Sequence, residues 1–380
     1  MTVDVPAGPR ERTELVVAPV TITPTKPLTP THVKGLLWTD LVLKASARLT
    51  PVRLVWNNRA ATVTAQSTAF WRHLDLTEPD TDWSTETALA IGERYVRYHA
   101  GRPRTDPRPL NDYLSAADRG WIHPAGRRML DLWHAELDLL GAAHPGLALD
   151  RPLGITACDA LGVLADRGLL LDHRPYGGPA HLDGTRWGLP LRQLVGADGH
   201  PNYLLPILRE LIPMIRPDRT FLLIHDDDLT ADYVLLHRVL TECGSRVARL
   251  PLSRVPIAGS TRSSRYGGWR GATLGELSAT AGTADRAAYR LGMRLYFTGI
   301  LQRGSAQPFR LPLLRRCVGR AARLLDDAAD RAAAPADHTL DAALGRLRTG
   351  PGHVDPYRLT TALLGGRLLP SAPQLRALYT

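Results

Sequence analysis

Two stretches of this chain read as strand, helix, strand, and a long segment separates them. In the first, residues 14–24 are rich in β-branched side chains and stop at a proline-bearing loop, which predicts a strand. Residues 24–31 have little helical potential. Residues 32–48 carry Val33, Leu36, Leu37, Leu41, Val42 and Leu43 at helical spacing, and 51–56 supply a second strand. In the second stretch an apolar strand at 219–225 ends in Asp226, Asp227 and Asp228. A helix at 230–243 and a strand at 246–252 follow. Units of this kind close as crossovers between parallel strands, so both stretches predict a parallel α/β sheet.

Between them the pattern turns helical. An amphipathic helix is expected at 84–99, a three-proline linker at 102–110, and helical sequence over 111–141. Residues 150–172 suggest a helix ending at Gly168 and a short strand. Residues 174–200, rich in Gly, Pro and His, read as an irregular connector, and helix returns at 201–215. Residues 258–271 form a Gly- and Ser-rich loop, and from 273 the chain reads as helical to its end. The clearest helix there is 311–330, with Leu314, Cys317, Val318, Ala321, Leu324 and Leu325 along one face. No internal repeat is visible.

Composition narrows the classes. With 380 residues, 44% hydrophobic and 22% charged, the chain can bury a large core, which excludes disorder over most of its length. Cys158, Cys243 and Cys317 are far apart and form no CxxC pair, arguing against a disulfide scaffold or a cysteine-rich zinc site. The histidines 123, 134, 144, 173, 181 and 200 form no metal-ligand spacing, so no metal site is expected from the protein's own ligands. No apolar run spans a bilayer and the first residues are polar, so a cytoplasmic protein without a membrane partner is expected. The net charge of +10 points toward a polyanionic partner or, more simply, a scattered basic surface. Only Lys26, Lys34 and Lys44 are lysines among the 47 basic residues; the rest are arginines, as in a high-GC coding sequence. A lysine-dependent motif beyond position 44 must therefore use arginine.

Three features carry candidate chemistry. His32 stands at the opening of the first helix, where free N–H groups favour an anion; the plain alternative is a helix-start residue. Asp226 to Asp228 end a strand where α/β sheets face ligands, and could meet ribose, an amino group or magnesium, or form a solvated turn. The loop 259–268 offers Ser260, Thr261, Arg262, Ser263, Ser264 and Arg265, suited to a polyphosphate, or simply connects elements. Asn57 and Asn58 at the end of the second strand could line a substrate pocket or serve the turn. Trp38 reads as core.

The order of these features resembles the catalytic domain of class I aminoacyl-tRNA synthetases, over roughly residues 14–300. That family has a HIGH motif opening the first helix and a KMSKS motif on a late loop. Asp40 lies eight residues past His32, as in the methionine and cysteine branches, which places His32 on the second histidine of HIGH. Thr29 then replaces the first histidine and Thr31 the glycine. The run Gly259 to Arg265 sits where KMSKS belongs and is similar to the arginine branch's MSTR variant. Thr273 to Leu277, Gly282 to Arg290 and residues 158–176 look like further segments of the family.

The resemblance implies an α/β, Rossmann-like (HUP) parallel sheet, split by a mostly helical connective insertion, with a small C-terminal helical region. The expected organisation is 13–105 and 201–305 for the two halves of the catalytic domain. The insertion would be 106–200 and the C-terminal region 306–380. The resemblance also implies activation of an amino-acid carboxylate by ATP with Mg2+. His32, Arg262 and Arg265 would be catalytic. Thr29, Thr31, His32, Asp227, Asp228, Ser260, Thr261, Ser263 and Ser264 would bind ATP, and Asn57, Asn58 and Asp226 the substrate. Arg262 or Arg265 would do what the family assigns to lysine. The C-terminal region is short for anticodon reading, so tRNA is a less favoured partner. A biosynthetic ligase, like the stand-alone relative that joins cysteine to an amino sugar, is expected instead, passing the amino acid to a small-molecule or carrier acceptor. The alternatives are a transferase that consumes aminoacyl-tRNA without ATP, as cyclodipeptide synthases do, and an inactive paralogue.

Overall fold

The structure is a computed structural model and describes residues 13–101, 110–143, 151–257, 264–281, 285–331, 337–350 and 352–380. The chain begins with strand β1 (Glu14–Pro19), helix α1 (Pro30–Ser46) and strand β2 (Val52–Leu54). It leaves the sheet for helices α2 (Asn58–Thr62), α3 (Ala65–Thr77), α4 (Ala88–Gly101), α5 (Leu110–Asp118), α6 (Pro124–Leu140) and α7 (Ala157–Asp166). Short strands β3 (Leu170–Asp172), β4 (Ala180–Leu182) and β5 (Arg192–Val195) follow, then helix α8 (Leu204–Leu211). The chain returns to the sheet with β6 (Arg219–Asp226), α9 (Thr230–Glu242) and β7 (Arg246–Leu252). The remaining helices are α10 (Leu274–Ala281), α11 (Arg286–Arg294), α12 (Leu311–Ala329), α13 (Asp337–Arg346), α14 (Pro356–Leu364) and α15 (Ala372–Tyr379).

The main sheet is parallel, in the order β2-β1-β6-β7. This is the parallel sheet, interrupted by a helical insertion, that the two strand–helix–strand stretches predict, and it is Rossmann-like, as the family resemblance implies. Side chains alternate across it, as strand geometry requires. Leu15 and Val17 of β1, with Leu222 and Ile224 of β6, pack with Trp38 and Val42 of α1 on one face. Val16, Ala18, Phe221 and Leu223 face the other way, into a core with Leu236, Val239 and Leu240 of α9 and Leu204, Leu205 and Leu208 of α8. At the N-terminal edge of the sheet the Glu14 carboxylate accepts from Arg53 at 2.9 Å and from Arg219 at 2.6 Å, tying three strands together. That edge is closed by charge pairing; the C-terminal edge holds the site.

Helix α1 is buried on almost every side, because it touches three cores at once. Val33, Leu36 and Leu37 pack against α6 and the turn that continues α11, Trp38 and Val42 against the sheet, and Leu41 and Ala45 against α11 to α15. Trp38 donates its indole N–H to the Phe297 carbonyl at 3.0 Å. Asp40, almost fully buried, receives Arg294 Nε at 2.8 Å, the Ala143 amide at 2.6 Å and Lys44 at 3.1 Å. The residue that fixes the register of the family resemblance is therefore a structural anchor. A buried carboxylate with this many donors is satisfied; losing its partner would leave an uncompensated charge.

Two expectations change. The helical stretch 111–141 is two helices, broken where Gly120 adopts a φ of 99°. The stretch 174–200, expected to be irregular, carries β4 and β5, which pair antiparallel with β3. These strands are only three or four residues long, and Ala180, Leu182, Leu194 and Val195 are fixed by packing against α7 and α8, which a local pattern does not show. Beyond 330 the helical reading holds, and α13 to α15 form one core with α11 and α12. Among the described residues no helix is long and apolar enough to cross a membrane.

Candidate functional site

The chain turns from β1 to β2 on one side of the sheet and from β6 to β7 on the other. The switch therefore lies between the adjacent strands β1 and β6, and ligands of open α/β sheets bind at such a point, beyond the strand C-termini. A cleft lies there, lined by Pro19, Thr31, His32, Gly35, Trp56, His225 and Asp226, among others. A second cleft, lined by Pro19, Val55, Asn57, Glu210 and Tyr233, lies on the β2 side. Pro19 belongs to both. His225 and Tyr233 stack at 4.3 Å and 20°, one facing each cleft.

His32 is the third residue of α1. Its Nδ1 accepts the Thr29 amide N–H at 3.1 Å and lies 3.1 Å from the Thr29 hydroxyl. A nitrogen that accepts an amide hydrogen carries none itself, so the proton of the neutral ring sits on Nε2, a donor with no partner among the described residues. Burial, reinforced by the charges of Lys26 and Arg254, holds His32 well below its ordinary pKa, so the ring stays neutral. Thr29 thus orients His32 and lines neither cleft. Thr31 accepts the Val255 amide at 3.0 Å, joining the start of α1 to the segment after β7.

The acidic strand end is split by environment. Asp226 is largely buried; its Oδ2 accepts from Arg254 Nε at 2.7 Å, while Oδ1 has no partner among the described residues. Burial pushes its carboxyl up to about 6, against the pull of Arg254. Asp228 is exposed and pairs with Arg254 Nη1 at 2.7 Å. Asp227 is exposed. His225 donates Nδ1–H to the Asp226 carbonyl at 2.8 Å, which leaves Nε2 as a buried acceptor without a partner among the described residues. Among the described residues the cleft therefore offers two unfilled acceptors, His225 Nε2 and Asp226 Oδ1, to a ligand with hydroxyl or amino donors.

The cationic side of the site contains a residue the sequence did not single out. Lys26, in the loop between β1 and α1, is buried, and its ammonium stands 5.7 Å from the Tyr95 ring centre. No carboxylate pairs with it among the described residues. Burial and the nearby Arg265 and Arg254 push it down to about 8. Arg265, on a short turn at Ser264–Tyr266, also acts on His99. Lys26, His32, Arg254 and Arg265 thus form one cluster, in which Arg254 pairs with Asp226 and Asp228. Its sequence signal is scarcity: a lysine kept in an arginine-rich chain marks a place for a compact ammonium.

Asn57 caps α2, its Oδ1 accepting the Arg59 amide at 3.1 Å, and it lines the second cleft. Asn58 lies inside α2 and lines neither cleft. Ser260, Thr261, Arg262 and Ser263, and the side chain of Ser264, lie outside the described residues. No group of three metal-ligating side chains is assembled among the described residues.

No protein-family model matches the chain, and no curated protein matches it. Solved structures do. The arginyl-tRNA synthetase of Thermus thermophilus superposes with a TM-score of 0.56 at 17% identity, over 98% of this chain and 75% of that one. A Campylobacter jejuni protein assigned as an arginyl-tRNA synthetase gives 0.53 at 14%, over 98% and 85%. The Plasmodium falciparum arginyl-tRNA synthetase gives 0.51 at 10%, over 83% and 52%. The fold is aminoacyl-tRNA-synthetase-like. Identities this low speak for architecture alone, so chemistry has to come from the site itself. In this synthetase-like fold, the two clefts flank the end of the first strand.

Proposed function

We propose that this chain activates an amino-acid carboxylate with ATP and passes the aminoacyl group to a small-molecule or carrier acceptor. The observation that carries the reading is the cationic cluster around neutral His32, set at the switch point beside a second, mostly apolar cleft. ATP, as Mg–ATP, fits the first cleft: Lys26, Arg265 and the proposed Arg262 oppose phosphate charge, and Nε2–H of His32 donates to a phosphate oxygen. His225 Nε2 and Asp226 Oδ1 accept from the nucleoside. With no preassembled set of metal ligands among the described residues, magnesium would arrive with the phosphates, the common mode for this ion. The amino acid occupies the second cleft. A carboxylate oxygen attacks the α-phosphorus, the bond to pyrophosphate breaks, and the acceptor nucleophile later displaces AMP. The protein contributes position and charge stabilisation.

ATP–pyrophosphate exchange over a panel of amino acids tests this. Exchange is expected with at least one amino acid, reduced about 100-fold or more by His32→Ala or Lys26→Ala, the scale of losing one preorganised donor. No exchange, with labelled aminoacyl-tRNA consumed, would make the chain a transferase. Neither activity, and no ATP binding by calorimetry, would make it a non-catalytic relative.

A further inference from the structure

The second cleft contains one carboxylate among its described lining residues, and that carboxylate is already occupied. Glu210, on α8, is buried with 7% of its surface exposed. Its Oε1 pairs with the guanidinium of Arg151, and Asn57 Nδ2 donates to its Oε2 at 3.4 Å. Asn57 also donates to the Arg151 carbonyl at 2.9 Å, so the three residues form a closed unit. The rest of the wall is largely hydrocarbon: Ala18, Val55, Ala60, Ile207, Leu211 and Leu223.

We infer that this cleft takes an amino acid with a neutral, apolar side chain, and that Arg151 is the residue that excludes cationic ones. This rests on the amino-acid reading of the site proposed above. A guest guanidinium or ammonium would seek Glu210, but would find its charge neutralised and a like charge beside it. Placing a resident cation on the one attractive carboxylate is specificity by repulsion. A neutral side chain meets no such barrier and gains from apolar burial. Arg151 has half its side-chain surface exposed, at 51%, so its removal leaves the core intact.

Calorimetric titration of the full chain with leucine, valine, lysine and arginine, without ATP, decides the matter. In the wild type a neutral amino acid should bind at least tenfold more tightly than arginine. Arg151→Ala should shift that ratio at least tenfold toward arginine, Arg151→Lys should not, and adding Glu210→Gln to Arg151→Ala should abolish the gain. Wild-type protein preferring arginine or lysine, or a ratio unmoved in Arg151→Ala, would overturn the inference while leaving the amino-acid site in place. Binding of no amino acid by wild type or any variant would overturn the amino-acid reading itself, and this inference with it.

Discussion

The three lysines show how one residue type takes different roles by position. Lys34 is buried on the carbonyls of Ser253, at 2.9 Å, and Arg303, at 3.3 Å. Lys44 donates to Gly141 at 2.7 Å and pairs with Asp40. Lys26 stands among other cations and an aromatic face, and among the described residues it lacks the counter-charge that burial normally demands. An incoming anion supplies it. The group is depressed to about 8, so it is charged below that pH and neutral above. Pyrophosphate affinity should therefore fall as pH rises from 7 to 9. Binding near pH 8 should take up protons, because the anion restores the higher pKa. Calorimetry in buffers of different ionisation enthalpy would show the uptake, and Lys26→Met should bind more weakly at pH 7 and flatten the profile.

At the scale of elements, the clearest constraint is the crossing of α11 and α12. A Cβ built on Gly292 would lie 2.6 Å from Val318 Cα, so only glycine lets these helices approach as they do. Gly292→Ala should cost about 1–3 kcal/mol, the usual range for overpacking, as read from the urea midpoint. Val318→Ala should not rescue it, because trimming the side chain leaves the Val318 Cα at 2.6 Å and its N at 2.8 Å in the way. Legibility also divides at this scale. β1, α1, β6, α9 and β7 were readable because their apolar residues recur at the strand or helix period over whole elements. α2 and α3 went unread: α2 is five residues long and carries little periodicity. β4 and β5 were hidden because their pairing depends on α7 and α8. Of the site, His32 and the acidic strand end could be placed from motif order, since each borders a periodic element. Lys26 and Arg254 could not, because they lie in loops and gain their meaning from neighbours distant in sequence.

Over the whole molecule, the C-terminal helices are part of the platform under the site. Leu41 and Ala45 of α1 share a core with Leu375, Leu378 and Tyr379 of α15, so the helix that presents His32 is gripped at its far end.

The wall between the two clefts has a thermodynamic consequence. It consists of the Pro19 ring, which has no N–H to bind either ligand, and the stacked His225 and Tyr233 rings. A ligand on either side stiffens a surface that the other must also press against, so part of the ordering cost is shared. A non-hydrolysable ATP analogue should tighten amino-acid binding by a factor of a few. The same factor must appear when the order of addition is reversed, because a coupling free energy has no direction. Two titrations would measure it, and Tyr233→Ala, by removing half the stack, should bring the factor toward one.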